Sequence, residues 1–134
     1  MDGAAAKAAL AVLGADPLFT RIVAEHDPTF GYNSLEGVLN EDTVQALDQI
    51  IAERLGFAAP PAKRWTDSDG GMHVLAAGLY GTLKAEGYDR TGGNIERWMG
   101  AAAKSGKLAP QRLHAAAAQV LGRPVDQLWP LPKA

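Results

Sequence analysis

Three apolar runs in this chain of 134 residues stop on the same dipeptide, at Leu13-Gly14, Leu55-Gly56 and Leu121-Gly122. Glycine reaches the left-handed conformation that closes a helix at little steric cost. A chain punctuated this way is built from short helices. The starts are marked too. Asp16-Pro17 reads as an N-cap followed by proline at the first helical position, where a missing N–H costs nothing. Asn40 ahead of Glu41-Asp42 places a cap before first-turn acids, and Asn33 with Glu36 has the spacing of a capping box. Composition agrees: 25 Ala and 15 Leu, against 11 Val and Ile together, favour helix over strand.

Between these marks the apolar residues recur with the helical period. The spacing predicts helices over 4–13 and 17–26, a short turn over 34–39, and a long helix over 41–55. Val44, Leu47, Ile50, Ile51 and Leu55 form the expected buried face of that long helix. A linker is expected over 57–63, centred on Pro60-Pro61. Beyond it come a helix over 68–86 with the stripe Met72, Leu75, Leu79 and Leu83, helices over 94–104 and 110–121, and a last turn over 124–128 before Trp129-Pro130. No stretch alternates like a strand. The expected fold is all-α, a compact bundle of about six to eight helices. It divides into subdomains over 1–62 and 63–134 that share one core, because about 60 residues per half is marginal alone.

Several functional classes are excluded outright. Without cysteine there is no disulfide framework, thiol nucleophile or cysteine-ligated zinc. No run of about 18 apolar residues exists to span a membrane. The first residues lack a basic segment and meet Asp16 early, so a secretory signal is not expected and the cytoplasm is. The chain carries no Gly-x-Ser-x-Gly, no P-loop and no His-Glu-x-x-His. Asp67-Ser68-Asp69-Gly70-Gly71 opens like a calcium loop, but position 12 falls on Gly78 where an acid is needed. His26 stands at a helix end, where it can serve the last carbonyls, and His73 and His114 fall on different helices. No metal, no cofactor and no catalytic residue is expected, and the chain is not read as an enzyme.

The charge is unevenly placed. The net charge is −2, but residues 1–62 carry three basic and nine acidic groups, a balance of −6, and residues 63–134 carry ten and six, a balance of +4. Such a split fits a half that meets a polyanion, and equally two halves that attract each other. The segment Tyr88-Asp89-Arg90-Thr91-Gly92-Gly93-Asn94-Ile95-Glu96-Arg97-Trp98-Met99 leads a glycine pair into a helix start, where unpaired N–H groups favour an anion. Arg90 and Arg97 flank it, and Lys104, Lys107 and Arg112 follow. Arg97 and Lys104 are seven apart and share a helical face. Arg90, Thr91, Asn94, Arg97, Lys104, Lys107 and Arg112 are therefore the candidate nucleic-acid contacts, mainly to phosphate. A solvated helix face behind an ordinary glycine turn is the plain alternative.

The stretch from Arg112 to Pro130, Arg-Leu-His-Ala-Ala-Ala-Ala-Gln-Val-Leu-Gly-Arg-Pro-Val-Asp-Gln-Leu-Trp-Pro, resembles the closing helices of phage-repressor-type helix-turn-helix domains, including the Ner-like group. The resemblance implies a helix-turn-helix-like C-terminal half with Leu113, Ala117, Val120, Leu121, Val125 and Leu128 in its core. It also implies a reading helix over 94–104, preceded by one over 72–86, DNA as ligand, and a homodimer. The short helix that this pattern asks for before the reading helix would have to come from 88–93. The leading expectation is a small DNA-binding transcriptional regulator or accessory protein. The other is a protein-binding adaptor or inhibitor, with Glu41, Asp42, Asp48 and Glu53 as an acidic face for a basic partner.

Overall fold

A computed structural model describes residues 3–132. It is all-α, with eight helices and three short 3-10 turns, and no strand among the described residues. The helices are α1 (Gly3–Gly14), α2 (Pro17–Glu25), α3 (Leu35–Leu55), α4 (Pro61–Asp67), α5 (Val74–Ala85), α6 (Tyr88–Thr91), α7 (Ile95–Lys104) and α8 (Pro110–Leu121).

The capping chemistry sets most of these bounds. The Asp16 side chain accepts the Leu18 N–H, with Pro17 opening α2, and Asn94 Oδ1 accepts the Arg97 N–H at the start of α7. Gly56 and Gly122 close α3 and α8 in the left-handed region. The cap of α3 is Ser34 rather than Asn33, its hydroxyl accepting the Gly37 N–H. The helix then runs unbroken to Leu55, so the separate turn expected over 34–39 is its first turn.

Helix α5 is the axis of the molecule. Every residue from 71 to 80 is buried, and α5 packs against α3 on one side and α8 on the other, while α1 packs on α7. The stripe Met72, Leu75, Leu79 and Leu83 is buried as its spacing predicts. One buried apolar cluster joins Leu13, Phe19, Ile22 and Leu39 to Trp65, Leu79, Met99 and Leu113, crossing residue 62. Glycines let α5 and α8 approach closely. A Cβ on Gly78 would lie 3.1 Å from the Leu113 carbonyl oxygen, and one on Gly81 3.1 Å from Val120 Cγ2.

Four expectations need correction. The stretch 57–63 is not a linker throughout, because Pro61 opens α4; proline breaks a helix interior but suits a first turn. The helix expected over 68–86 begins only at Val74, after a 3-10 turn at Asp69–Gly71 in which Gly70 takes left-handed angles. Val125, expected in the core, is 48% exposed. The buried face of α3 is also turned: Ile50 is buried, but Val44 (51% exposed), Ile51 (54%) and Leu55 (66%) stand in solvent.

Candidate functional site

What α3 buries explains that reversal. Asp42, Gln45, Gln49 and Glu53 follow each other at spacings of three and four residues and so share one face. That face turns inward, and each amide finds a partner. Gln45 Oε1 accepts the Trp65 indole N–H at 2.9 Å, and its amide donates to Glu41 at 2.9 Å. Gln49 donates to the Ala59 carbonyl at 2.8 Å and to Glu53 at 3.0 Å, and accepts from Arg64 at 3.2 Å. Glu53 receives the Lys84 ammonium at 2.9 Å and the Tyr80 hydroxyl. Burial pushes the Glu53 carboxyl up, but the donors Tyr80, Lys84 and Gln49 hold it below the usual carboxylate range. The Tyr80 hydroxyl is raised to about 12, by burial first and then by its bond to Glu53.

The acidic face expected for a basic partner is therefore largely spent inside. Asp42 is fully buried against His73, Glu53 is tied to Tyr80 and Lys84, and Glu41 holds Gln45. Asp48 stays exposed. The opposite face of α3 is aliphatic and open: Val44, Ile51 and Leu55, with Leu47 half-buried beside them and Phe57, 71% exposed, just past the helix end. A cleft of about 180 Å³, lined by Asn40, Thr43, Val44, Leu47, Ile95 and Glu96, lies along its N-terminal part.

The candidate nucleic-acid residues fall around α6 and α7. The one-turn helix α6 occupies part of the 88–93 stretch. Gly92 (φ 65°) and Gly93 (φ 128°) then turn the chain into α7 through angles that disfavour a side chain. Thr91, Asn94 and Arg97 border one cleft of about 280 Å³, together with Glu86, Tyr88 and Trp98. Arg97 and Lys104 border a neighbouring groove of about 400 Å³ between α1 and α7, which Glu96 also lines. Arg112 lies in a third cleft, of about 260 Å³, again with Glu86. Lys107 is held by Glu86 at 2.7 Å, and the same carboxylate oxygen accepts the Trp98 indole N–H at 3.2 Å. Arg90 reaches its neighbour Asp89 only at 4.0 Å. The fold thus gathers Thr91, Asn94 and Arg97, sets Lys104 along the same helix, and spreads Lys107 and Arg112 around Glu86.

Comparison with protein-family models, with curated proteins and with solved structures gave no match. No described helix is long and apolar enough to cross a membrane.

The histidines are structural in their contacts. His26 bonds the Ile22 and Gly31 carbonyls, each at 2.7 Å. His114 sits on Asp16 at 2.8 Å, fixing α8 to the start of α2. His73 lies out of solvent between two carboxylates, Asp42 at 2.6 Å and Asp69 at 2.7 Å. The sequence offered one overlooked signal for the exposed face: the amide and acid ladder at 42, 45, 49 and 53 competes with the aliphatic stripe for the interior.

Proposed function

We propose that this protein is a non-enzymatic interaction module that docks a protein surface on the aliphatic face of α3. The observation that carries this reading is the inversion of α3, with Gln45 and Gln49 inside and Val44, Ile51, Leu55 and Phe57 outside. Contiguous exposed apolar groups on a folded domain mark contact surfaces, and burying each such side chain contributes roughly 1.5–3 kcal/mol. The test uses immobilised wild-type protein and Ile51→Glu as paired baits. The reading expects a protein held by the wild type and lost from the variant; equal capture by both overturns it.

A second reading rests on the cations of α6 and α7. Arg97 and Lys104 have no carboxylate within ion-pair distance among the described residues, and Arg90 is 75% exposed. On this reading they contact DNA phosphate, as the likeness to phage-repressor-type domains implies, and the protein is a DNA-binding regulator or accessory factor. Retention on a DNA column that is lost at moderate salt supports it; flow-through at low salt counts against it.

A further inference from the structure

We propose that the contact between His73 and Asp69 is a proton-operated latch: loss of one proton opens the 3-10 turn at Asp69–Gly71 and frees Phe30 and Leu131, which pack on it, while the helices stay in place. The two contacts of the ring are short, 2.6 Å to Asp42 and 2.7 Å to Asp69. Each needs one hydrogen between its heavy atoms. The three groups hold two such hydrogens while they share one titratable proton, whether it rests on the ring or on Asp42. A neutral ring between two carboxylates has a single N–H, so one contact fails when that proton leaves.

The surroundings decide which contact that is. Asp42 is fully buried, and its Oδ2 already takes the Ala76 N–H at 3.0 Å. The Asp69 side chain is 32% exposed and can turn to water. An unpaired carboxylate costs far more inside than in solvent, so the remaining N–H stays on Asp42 and the ring presents a lone pair to Asp69. Burial lowers His73, but Asp42 and Asp69 together outweigh it, so the proton leaves above the ring's ordinary 6.5. The Tyr32 ring stands edge-on to His73 at 5.6 Å. Glu41, burial and the two aspartates hold the Tyr32 hydroxyl above its ordinary 10.0, which keeps it neutral as His73 titrates. Among the described residues, His73 is the one basic group within ion-pair distance of Asp42 or Asp69.

The turn has reason to open once the tether is lost. Asp69 lies in the left-handed region at φ 47°, which residues with a side chain enter at a cost. Gly70 and Gly71 follow it at φ 66° and 80°. The Phe30 ring lies against Gly70, with Cε2 3.4 Å from where a Cβ would stand, and Leu131 lies on Gly71, with Cγ 2.7 Å from the equivalent point. One turn thus holds two segments from distant parts of the chain, and the His73 contact holds the turn. The opening stays local. Leu128 is fully buried, the Trp129 indole donates to Glu25 at 3.1 Å, and Asp42 keeps the Ala76 N–H at the start of α5.

The experiment is a pH titration of the isotopically labelled full chain by nuclear magnetic resonance, upward from pH 6. The resonances of Gly70, Gly71, Phe30 and Leu131 are expected to move with the same midpoint as the His73 ring. The through-space contact between Gly71 and the Leu131 methyls should be lost above that midpoint, while the Ala76 N–H resonance holds its place. In Asp69→Asn the side-chain amide can donate to a neutral ring, so Phe30 and Leu131 should stop following pH. A Gly71–Leu131 contact that survives above the His73 midpoint overturns the inference. So does movement of Ala76 in place of the turn, which would put the release at Asp42, or loss of the whole folded spectrum before the ring titrates. A folded Asp69→Asn that still responds like the wild type overturns it as well; if that variant does not fold, the wild-type contact decides alone.

Discussion

His73 Nδ1 lies 2.6 Å from Asp42 Oδ1 in a position that solvent does not reach. The other ring nitrogen faces Asp69 Oδ2 at 2.7 Å. With both carboxylates ionised, each ring nitrogen has to carry an N–H, which favours the imidazolium form. Burial opposes that charge, but Asp42 and Asp69 outweigh it and raise His73 above its usual value. Burial also raises Asp42, more than the bonds from His73 and the Ala76 N–H lower it. Removing one member strands the other. His73→Ala is expected to destabilise the fold by about 3–5 kcal/mol, read from the urea midpoint; a loss below about 1 kcal/mol would show that Asp42 finds solvent or another partner.

The same pair fixes a pH dependence. The folded state keeps a proton on His73 that the unfolded chain gives up near its ordinary value, about 6.5. Folded protein then binds more protons than unfolded, so stability falls as pH rises above that value, until the folded imidazolium itself titrates. The carboxylates held low, such as Glu53, act only at acid pH and do not mask this slope. Urea midpoints measured upward from pH 6.5 should decline in the wild type and lose most of that decline in His73→Gln. A wild-type curve that is flat or rising there contradicts the imidazolium assignment.

Neighbouring isoleucines on α3 should respond oppositely to truncation. Ile50 is 4% exposed and Ile51 54% exposed. Ile50→Ala is expected to cost about 2–4 kcal/mol, and Ile51→Thr in dilute protein to stay within about 0.5 kcal/mol of the wild type. Equal losses at both positions would mean that the helix is rotated from the orientation described.

Two helix glycines should also separate. Gly100 is in a helical conformation, and an added Cβ would meet the Ala5 Cβ at 3.4 Å, an ordinary contact. Gly100→Ala should stabilise by up to about 1 kcal/mol through helix propensity. At Gly78 the same methyl lies 3.1 Å from a backbone carbonyl of α8, which cannot turn aside as a side chain can. Gly78→Val should lose about 1–3 kcal/mol from overpacking. Thermal melts of both variants test the pair.

If the α7 cations meet DNA, Arg97→Ala combined with Lys104→Ala should weaken binding and flatten the salt dependence by about two units. Unchanged affinity and slope would remove both residues from any phosphate contact.

Much of the helical plan was legible because its signals are local. Asp16-Pro17 and Asn94 cap helices within a few residues of themselves, and the stripe Met72, Leu75, Leu79 and Leu83 is uniformly apolar. Pro60-Pro61 misled because proline both ends and begins helices, and only the chain that follows decides which. The long helix misled for a different reason. Its aliphatic stripe has the cleaner period, and Gln45 and Gln49 become fit for the interior only through Trp65, Arg64 and the Ala59 carbonyl, 10 to 20 residues away. The engagement of Lys107 by Glu86, 21 residues apart, is likewise invisible to local pattern. The candidate cations could be named from the sequence, but not which of them remain unengaged.

Helix α5 has no cap of its own. Its third residue, Ala76, instead gives its N–H to Asp42 Oδ2 at 3.0 Å, from a helix 34 positions earlier in the chain. The central element thus borrows its beginning from the amino-terminal half, and excision at residue 63 would leave a fragment whose core helix frays at Val74. Inheritance of this architecture is accordingly all or none: a recombination that kept the carboxy-terminal helices but exchanged α3 would have to bring an acid back to position 42.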